Sequence, residues 1–358
     1  MTTAAGADGP ASAHRAIRAI AVTRPAPGRT EAMTSYGLDD ATFTAAVASA
    51  IRAPSLHNSQ PWRFRRDGDT VEVWADTTRQ LPTADPGGWA VRLACGAAIL
   101  NLRLFFGAQG RPMITALLPD PNTPDLLARL QPAPPRSATP EDAALAAKID
   151  QRRSNRAPFA DVPVSLAQQS ALAAAAHAES ADLVFITGMR AITDIADLVR
   201  AADAALGSTP GYRGELTSWT RPDSASHDGV PLAAAGPAPA LHDLLTRRDF
   251  GGTEAPEHHR YEGHPLVAVL CSFGDTPRDQ LIAGAALQRV LLTATEVSLV
   301  VSMFSQPVEV PGVREQLRVL AGGRVSVPQM VLRIGFCIPA PKTARRPAEA
   351  VIDEHARH

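Results

Sequence analysis

Apolar residues recur at helical spacing where the ordered pattern of the chain begins: Phe43, Val47, Ala50 and Ile51 form one stripe over 40–52. Pro54 then stops the helix, because its ring and missing N–H cannot continue the hydrogen-bond ladder. Beyond Trp62, residues 63–76 read as a β-hairpin, with Val71, Val73 and Trp74 in its second strand and the turn at Asp67-Gly68-Asp69. After a loop rich in Pro, Asp and Gly, residues 91–107 are apolar nearly all round, which predicts a buried helix. Residues 113–118 read as a short strand, and 119–140 as a connection ending in the Pro-rich linker QPAPPRSATP. A second unit opens with Thr139 as N-cap, Pro140 at the first helical position and Glu141 and Asp142 in the first turn. Helices then follow at 165–178, 191–206 and 279–301, and strands at 182–187, 266–272 and 327–335. The stretch 207–252 reads as long and irregular. A loop of that size is functional or disordered, and Tyr212 and Trp219 favour a lid, although lone aromatics usually just pack. A basic tail occupies 339–351.

One internal repeat stands out. GAAILNLRL, from Gly96, is echoed by GAALQRVLL, from Gly284, 188 positions later, and each follows a strand and a loop. Such a motif arises easily in an Ala-rich chain, yet the shared order of elements favours duplication. The expected organisation is an α+β chain of two tandem halves, 37–138 and 139–358, with an insertion at 207–252. Residues 1–36 mix Ala, Gly, Pro and Arg without helical periodicity. They read as a disordered extension in preference to a transit peptide, and Met33 is an alternative start.

Composition narrows the classes. The chain has 358 residues, 45% hydrophobic and 20% charged, with a net charge of −1, so no basic field points to nucleic acid. No uninterrupted run of about 18 apolar residues suggests a membrane span. Cys95, Cys271 and Cys337 form no C-x-x-C pair and read as core thiols in a reducing, cytoplasmic setting. Glu254, Glu257, His258, His259 and His264 crowd one stretch, but without the H-E-x-x-H spacing they read as a solvated loop, with no metal. Neither G-x-S-x-G nor a Rossmann G-x-G-x-x-G is present.

The chemistry concentrates in two places. The first is APSLHNSQPW, 53–62, where Ser55, His57, Asn58, Ser59 and Gln60 crowd between prolines. One such group is enough for a turn, so the loop reads either as a helix cap and turn or as a surface that grips something planar and polar. The second is Arg152, Ser154 and Arg156, which share one face of an extended segment and suit a phosphate dianion. The alternative is a solvated basic cluster at a helix C-terminus.

The pattern P-S-x-x-N-x-Q-P-W resembles the flavin-ring loop of the nitroreductase family. R-x-S-x-R followed by Phe159 resembles the opening of a nitroreductase subunit, and KTARRP resembles that family's C-terminal phosphate-binding segment. The resemblance, from about residue 38 onward, is to fused, lidded nitroreductase-like proteins first described in mycobacteria. It implies the nitroreductase fold as an intramolecular pseudo-dimer, monomeric or weakly dimeric, with one complete FMN site and one lost. Pro54, Ser55, Leu56 and Asn58 would meet the ring, with Asn58 the side-chain donor near its pyrimidine. Arg152, Ser154, Arg156 and Arg345 would hold the phosphate and ribityl chain, with Lys342 and Arg346 as alternatives to Arg345. Ser305 and Gln306, at what reads as the end of the second repeat helix, would pass the pyrimidine edge, unless Pro307 merely stops that helix. Tyr212 and Trp219 would serve the lid. The implied activity passes hydride from NAD(P)H through FMN N5 to a small organic acceptor such as a nitro compound or quinone. The alternatives are an FMN-sequestering protein with a lid, and a flavin dehydrogenase acting on a biosynthetic intermediate.

Overall fold

The computed structural model describes residues 37–238, 243–245, 248–251, 262–323 and 326–353, all within one compact unit, Thr34–His358. The chain order is α1 (Asp40–Ala50), β1 (Trp62–Asp67), β2 (Thr70–Ala75), α2 (Trp89–Ala108), β3 (Met113–Leu117), β4 (Leu126–Pro132) and α3 (Pro140–Lys148). It continues with α4 (Leu166–Ala178), β5 (Asp182–Ile186), α5 (Met189–Ser208), α6 (Tyr212–Ser218), β6 (Thr220–Arg221), β7 (Val230–Pro231) and α7 (Leu232–Ala235). The last elements are β8 (Leu266–Ser272), α8 (Pro277–Glu296), β9 (Val300–Phe304), α9 (Gln306–Glu309), α10 (Pro311–Leu320) and β10 (Val327–Gly335).

Two four-stranded sheets carry the architecture, ordered β1-β2-β4-β3 and β5-β8-β10-β9, and every pairing within them is antiparallel. The order is the same in both when β5, β8, β9 and β10 are matched to β1, β2, β3 and β4. In each set one long apolar helix, α2 or α8, lies in sequence between the second and third strands. These two helices cross at Gly96 and Gly284. A Cβ on Gly96 would lie 2.1 Å from the Leu281 carbonyl oxygen, and one on Gly284 2.1 Å from that of Leu93. Each contact maps onto the other by the same 188-residue offset, as a two-fold contact between equivalent surfaces requires. Next to the crossing, Gln288 donates to Asn101 (2.8 Å), whose own amide reaches the Ser49 and Ala50 carbonyls at the end of α1. Helix α2 is long and apolar enough to cross a bilayer, but 83% of its apolar window is buried inside this fold.

Several elements depart from the sequence reading. The stretch read as the end of one helix over 279–301 is α8, a turn with Ser298 at φ 62°, and the start of β9. Val300, Val301 and Phe304 pair with β10, and tertiary pairing decides what an unbroken apolar run leaves ambiguous. Ser302–Pro307 therefore closes a strand. Residues 119–140 hold β4, paired on both sides, because Leu126, Leu127 and Leu130 are buried there. The stretch 207–252 carries α6, α7 and a two-stranded parallel pair, and α10 lies where no helix was expected. The tail crosses to the first sheet: Phe64 N–H donates to the Val351 carbonyl, and Asp353 N–H to that of Phe64, at 2.9 Å each. Cys95 and Cys271 are buried, but Cys337 is only half-buried. Glu254, Glu257, His258 and His259 lie outside the described residues, as do 1–36.

Candidate functional site

The loop 51–61 leaves α1 through a short 3₁₀ turn, Leu56–Asn58. His57, Asn58 and Gln60 all have positive φ (53°, 56° and 53°). Left-handed backbone at non-glycine residues persists only where surrounding bonds over-determine it. Those bonds are present. Gln60 N–H donates to Ser55 Oγ (3.0 Å), Gln60 Nε2 to the His227 carbonyl (2.8 Å), and Arg346 N–H to Gln60 Oε1 (2.9 Å). Asn58 Nδ2 donates to the carbonyls of Gly229 (3.0 Å) and Ala344 (3.2 Å). The loop is thus fastened to the 207–252 insertion and to the tail at once.

Against this loop lies a cleft of two adjoining compartments. Pro54, Ser55, Arg156 and Met303 line both. The first compartment is walled by apolar side chains, notably Leu56 of the loop and Trp89, Leu93, Leu287, Met303 and Met330 of the crossed helices and of β9 and β10, with Ser305 and Gln306 among its polar lining. The second is basic, and Asn58, Arg152, Ser154, Arg156, Lys342 and Arg345 line it. The ring-loop residues and the R-x-S-x-R segment, about a hundred residues apart in sequence, therefore meet.

Local structure explains the basic end. Ser154 bridges to Val301 beside β9, and Asn155 N–H donates to the Val301 carbonyl (3.0 Å). Asn155 is buried and spends its side chain on Ile338 O and Ala157 N–H, so its neighbours face the cleft. Arg152 is buried and donates to the Arg52 carbonyl (3.2 Å), while Arg345 donates to those of Ile51 (2.9 Å) and Ala53 (3.3 Å). Both guanidiniums thereby satisfy carbonyls left open at the C-terminal end of α1. Neither has a carboxylate partner among the described residues, whereas Lys342 and Arg52 share Asp150. Loss of water holds Arg152 down at about 10, with Arg153 adding to it, and holds Arg345 down at about 9, where Arg152 is the next cause. Arg152 Nε is buried without a partner. Buried cations that depress one another are what an anion would relieve.

Three expected roles change. Both amide protons of Asn58 are committed to backbone carbonyls, so Asn58 fastens the loop and has no side-chain donor left for a ligand. Tyr212 and Trp219 line neither compartment. Tyr212 is buried beside Leu81, Ala84 and Leu206, and the Trp219 ring meets the guanidiniums of Arg79 (5.2 Å) and Arg221 (5.8 Å). The insertion reaches the cleft through other residues: Gly229 and Val230 at the basic end, Arg248 and Phe250 at the apolar end. Arg248 makes a bidentate, buried ion pair with Glu309 (2.7 and 2.8 Å) and meets His57 Nε2 at 2.5 Å. Nothing local marks Arg248 in the sequence, since its partners lie 61 and 191 positions away.

No family model matches the chain. The acg protein of Mycobacterium tuberculosis, named as a candidate NAD(P)H nitroreductase, is 30% identical over 323 residues, 87% of this chain and 95% of that one. A second candidate NAD(P)H nitroreductase of the same organism is 30% identical over 334 residues, 90% and 94% of the two chains. Among solved structures, a nitroreductase with bound FMN from Bacteroides fragilis aligns with 56% of this chain and 94% of its own, at 14% identity and a TM-score of 0.35. The nitroreductase NfnB of Mycobacterium smegmatis, in complex with NADPH, aligns with 56% and 95%, at 19% identity and the same score. Likenesses that distant carry no argument, but the mycobacterial relatives are matched over nearly their whole length. On that ground the chain belongs to the acg-type NAD(P)H nitroreductase family.

Proposed function

We propose that this chain is an FMN-dependent oxidoreductase that draws reducing equivalents from NAD(P)H and delivers them to a small organic acceptor, such as a nitro compound or a quinone. The observation that carries the reading is the pair of guanidiniums without carboxylate partners among the described residues, Arg152 and Arg345, at one end of a cleft whose other end is lined mainly by apolar side chains. A phosphate at one end and an aromatic ring system at the other fit that donor set. Arg152, Arg345, Ser154 and Arg156 would hold the phosphate and ribityl chain by charge-assisted bonds. Pro54, Ser55, Leu56, Ser305 and Gln306 would bound the ring. When bound, FMN supplies the two-electron chemistry, accepting hydride from the nicotinamide and passing it on. The protein's part is to place the ring against the crossed helices and exclude water there, which strengthens each polar contact.

The duplicated sheet order and the reciprocal glycine crossing support a fused pseudo-dimer, with the ring loop from one half and the phosphate clamp from the other. A second reading, flavin retention with little turnover, is favoured by one observation: the insertion is bonded directly to the ring loop through Gly229 and His227. Anaerobic stopped-flow mixing of the flavin-loaded protein with NADH and NADPH decides between them. Rapid bleaching of the flavin band is expected, and no bleaching over minutes would leave retention as the function.

A further inference from the structure

We propose that His57 recognises an sp² oxygen of the molecule held in the apolar compartment, donating a hydrogen bond from Nδ1. The assignment rests on the flavin reading above, and it concerns a residue to which neither the ring-loop resemblance nor the relatives give a role.

The contact with Arg248 fixes the tautomer of His57. Arg248 Nη1 lies 2.5 Å from His57 Nε2. A guanidinium has only donors, so Nε2 must be the acceptor, and the imidazole proton must sit on Nδ1. The ring is also held in place. Phe250 meets it edge-on at 5.5 Å, and Arg248 is itself fixed by its two bonds to Glu309. Burial, then the charges of Arg248 and Arg156, push the imidazole well below its usual range, so it stays neutral across physiological pH. His57 is 4% exposed, lines the apolar compartment, and its Nδ1 has no partner. A buried donor left unpaired is costly, more so than an average hydrogen bond is worth. Its backbone is left-handed as well, a second cost at the same residue.

The missing partner must be an acceptor that can enter an apolar space without a charge. A carbonyl or nitro oxygen on a planar ring has that chemistry, and two molecules supply it: the pyrimidine edge of the flavin, and the oxidant that the flavin reduces. A carboxylate is disfavoured, since Glu309 already neutralises Arg248.

The test uses the full chain with His57→Phe, which keeps a flat ring and removes the donor, and His57→Asn, which restores a donor and tolerates positive φ. Apoprotein is titrated with FMN, and holoprotein is assayed with 1,4-benzoquinone under NADPH. If the oxygen belongs to the flavin, His57→Phe weakens FMN binding about 3- to 10-fold and His57→Asn recovers most of the loss. If it belongs to the oxidant, FMN affinity is unchanged, KM for benzoquinone rises by a similar factor with kcat nearly constant, and His57→Asn again recovers it. Equal FMN affinity and equal KM in His57→Phe and wild type would overturn the proposal. Should His57→Phe not fold, ¹⁵N-histidine spectra of the wild-type chain decide: a downfield move of the Nδ1–H signal on adding FMN or quinone supports the assignment, and no move with either overturns it. A wild-type chain that binds no FMN would sink the flavin reading and this assignment together. FMN binding with a silent His57 sinks this assignment alone.

Discussion

Arg152 carries an unmet electrostatic demand in the cleft: it is buried, has no carboxylate within reach among the described residues, and leaves Nε without a partner. Removing it should weaken FMN binding by about 2–4 kcal/mol, the scale of losing a buried charge-assisted partner. Fluorescence titration of Arg152→Ala measures this, and an unchanged affinity would take Arg152 out of the phosphate site. The same demand predicts that millimolar inorganic phosphate raises the Tm of the apoprotein, by mass action on the folded state, and that this rise vanishes in Arg152→Ala. At this scale the sequence was partly legible. Alternation in an extended segment is a local property, so Arg152, Ser154 and Arg156 were recognisable as one face. Which groups Asn58 would bond was not, because the carbonyls that take its protons belong to Gly229 and Ala344, 171 and 286 positions away.

Among the elements, α2 and α8 set the geometry of the apolar wall, and their separation is fixed by glycine. A methyl group on either Gly96 or Gly284 would overlap a backbone carbonyl, which cannot rotate away as a side chain would. Gly96→Ala and Gly284→Ala should each destabilise the fold by roughly 3 kcal/mol or more, at or beyond the upper end of ordinary overpacking. The double variant should cost less than the sum, since one methyl already separates the helices and the two sites share a contact. Additive losses in urea unfolding would show that the crossing does not act as one unit. The start of α2 gives a pH prediction. Burial raises the Asp85 carboxyl to about 6, with the N–H groups of Ala90 and Val91 opposing the rise. Between the ordinary 3.8 and 6 the folded chain holds more protons than the unfolded one, so its stability falls as pH climbs through that window. Asp85→Asn should remove this fall, gaining on the order of 2–3 kcal/mol relative to wild type between pH 4 and 7. Parallel stability curves would contradict it. The helices themselves were legible as long apolar runs, and the repeat that holds Gly96 and Gly284 pointed to duplication, but not to a crossing between them. Strands β4 and β9 were not, because both are short apolar runs whose identity comes from neighbours far along the chain.

Across the whole molecule, the two sheets share one order but the segments around them do not offer the same chemistry, and on the proposed reading this sets how many flavins the chain holds. Between α1 and β1 lie eleven residues, the ring loop; between the matching α4 and β5 lie three. In those three stands Glu179, buried, which pairs with Arg103 (2.6 Å) and Arg289 (2.8 Å). An open groove survives on that side, lined by Ile99, Arg278, Leu281 and Ile282, each offset by 188 positions from Leu287, Ala90, Leu93 and Ala94 of the apolar compartment. Space is therefore not what the second side lacks. It lacks the long loop, and among the described residues it lacks a pair of buried cations like Arg152 and Arg345: of the two arginines that line it, Arg103 is paired with Glu179 and Arg278 is exposed to solvent. One FMN per chain is the expected stoichiometry, read from the absorbance of purified, saturated protein against its concentration. Because that single ligand would bind residues of both halves, loading it should raise one cooperative melting transition rather than split the melt into two. Two flavins per chain would mean that the paired side binds without a phosphate clamp, and the reading of Arg152 and Arg345 as the feature that selects the site would fall with it.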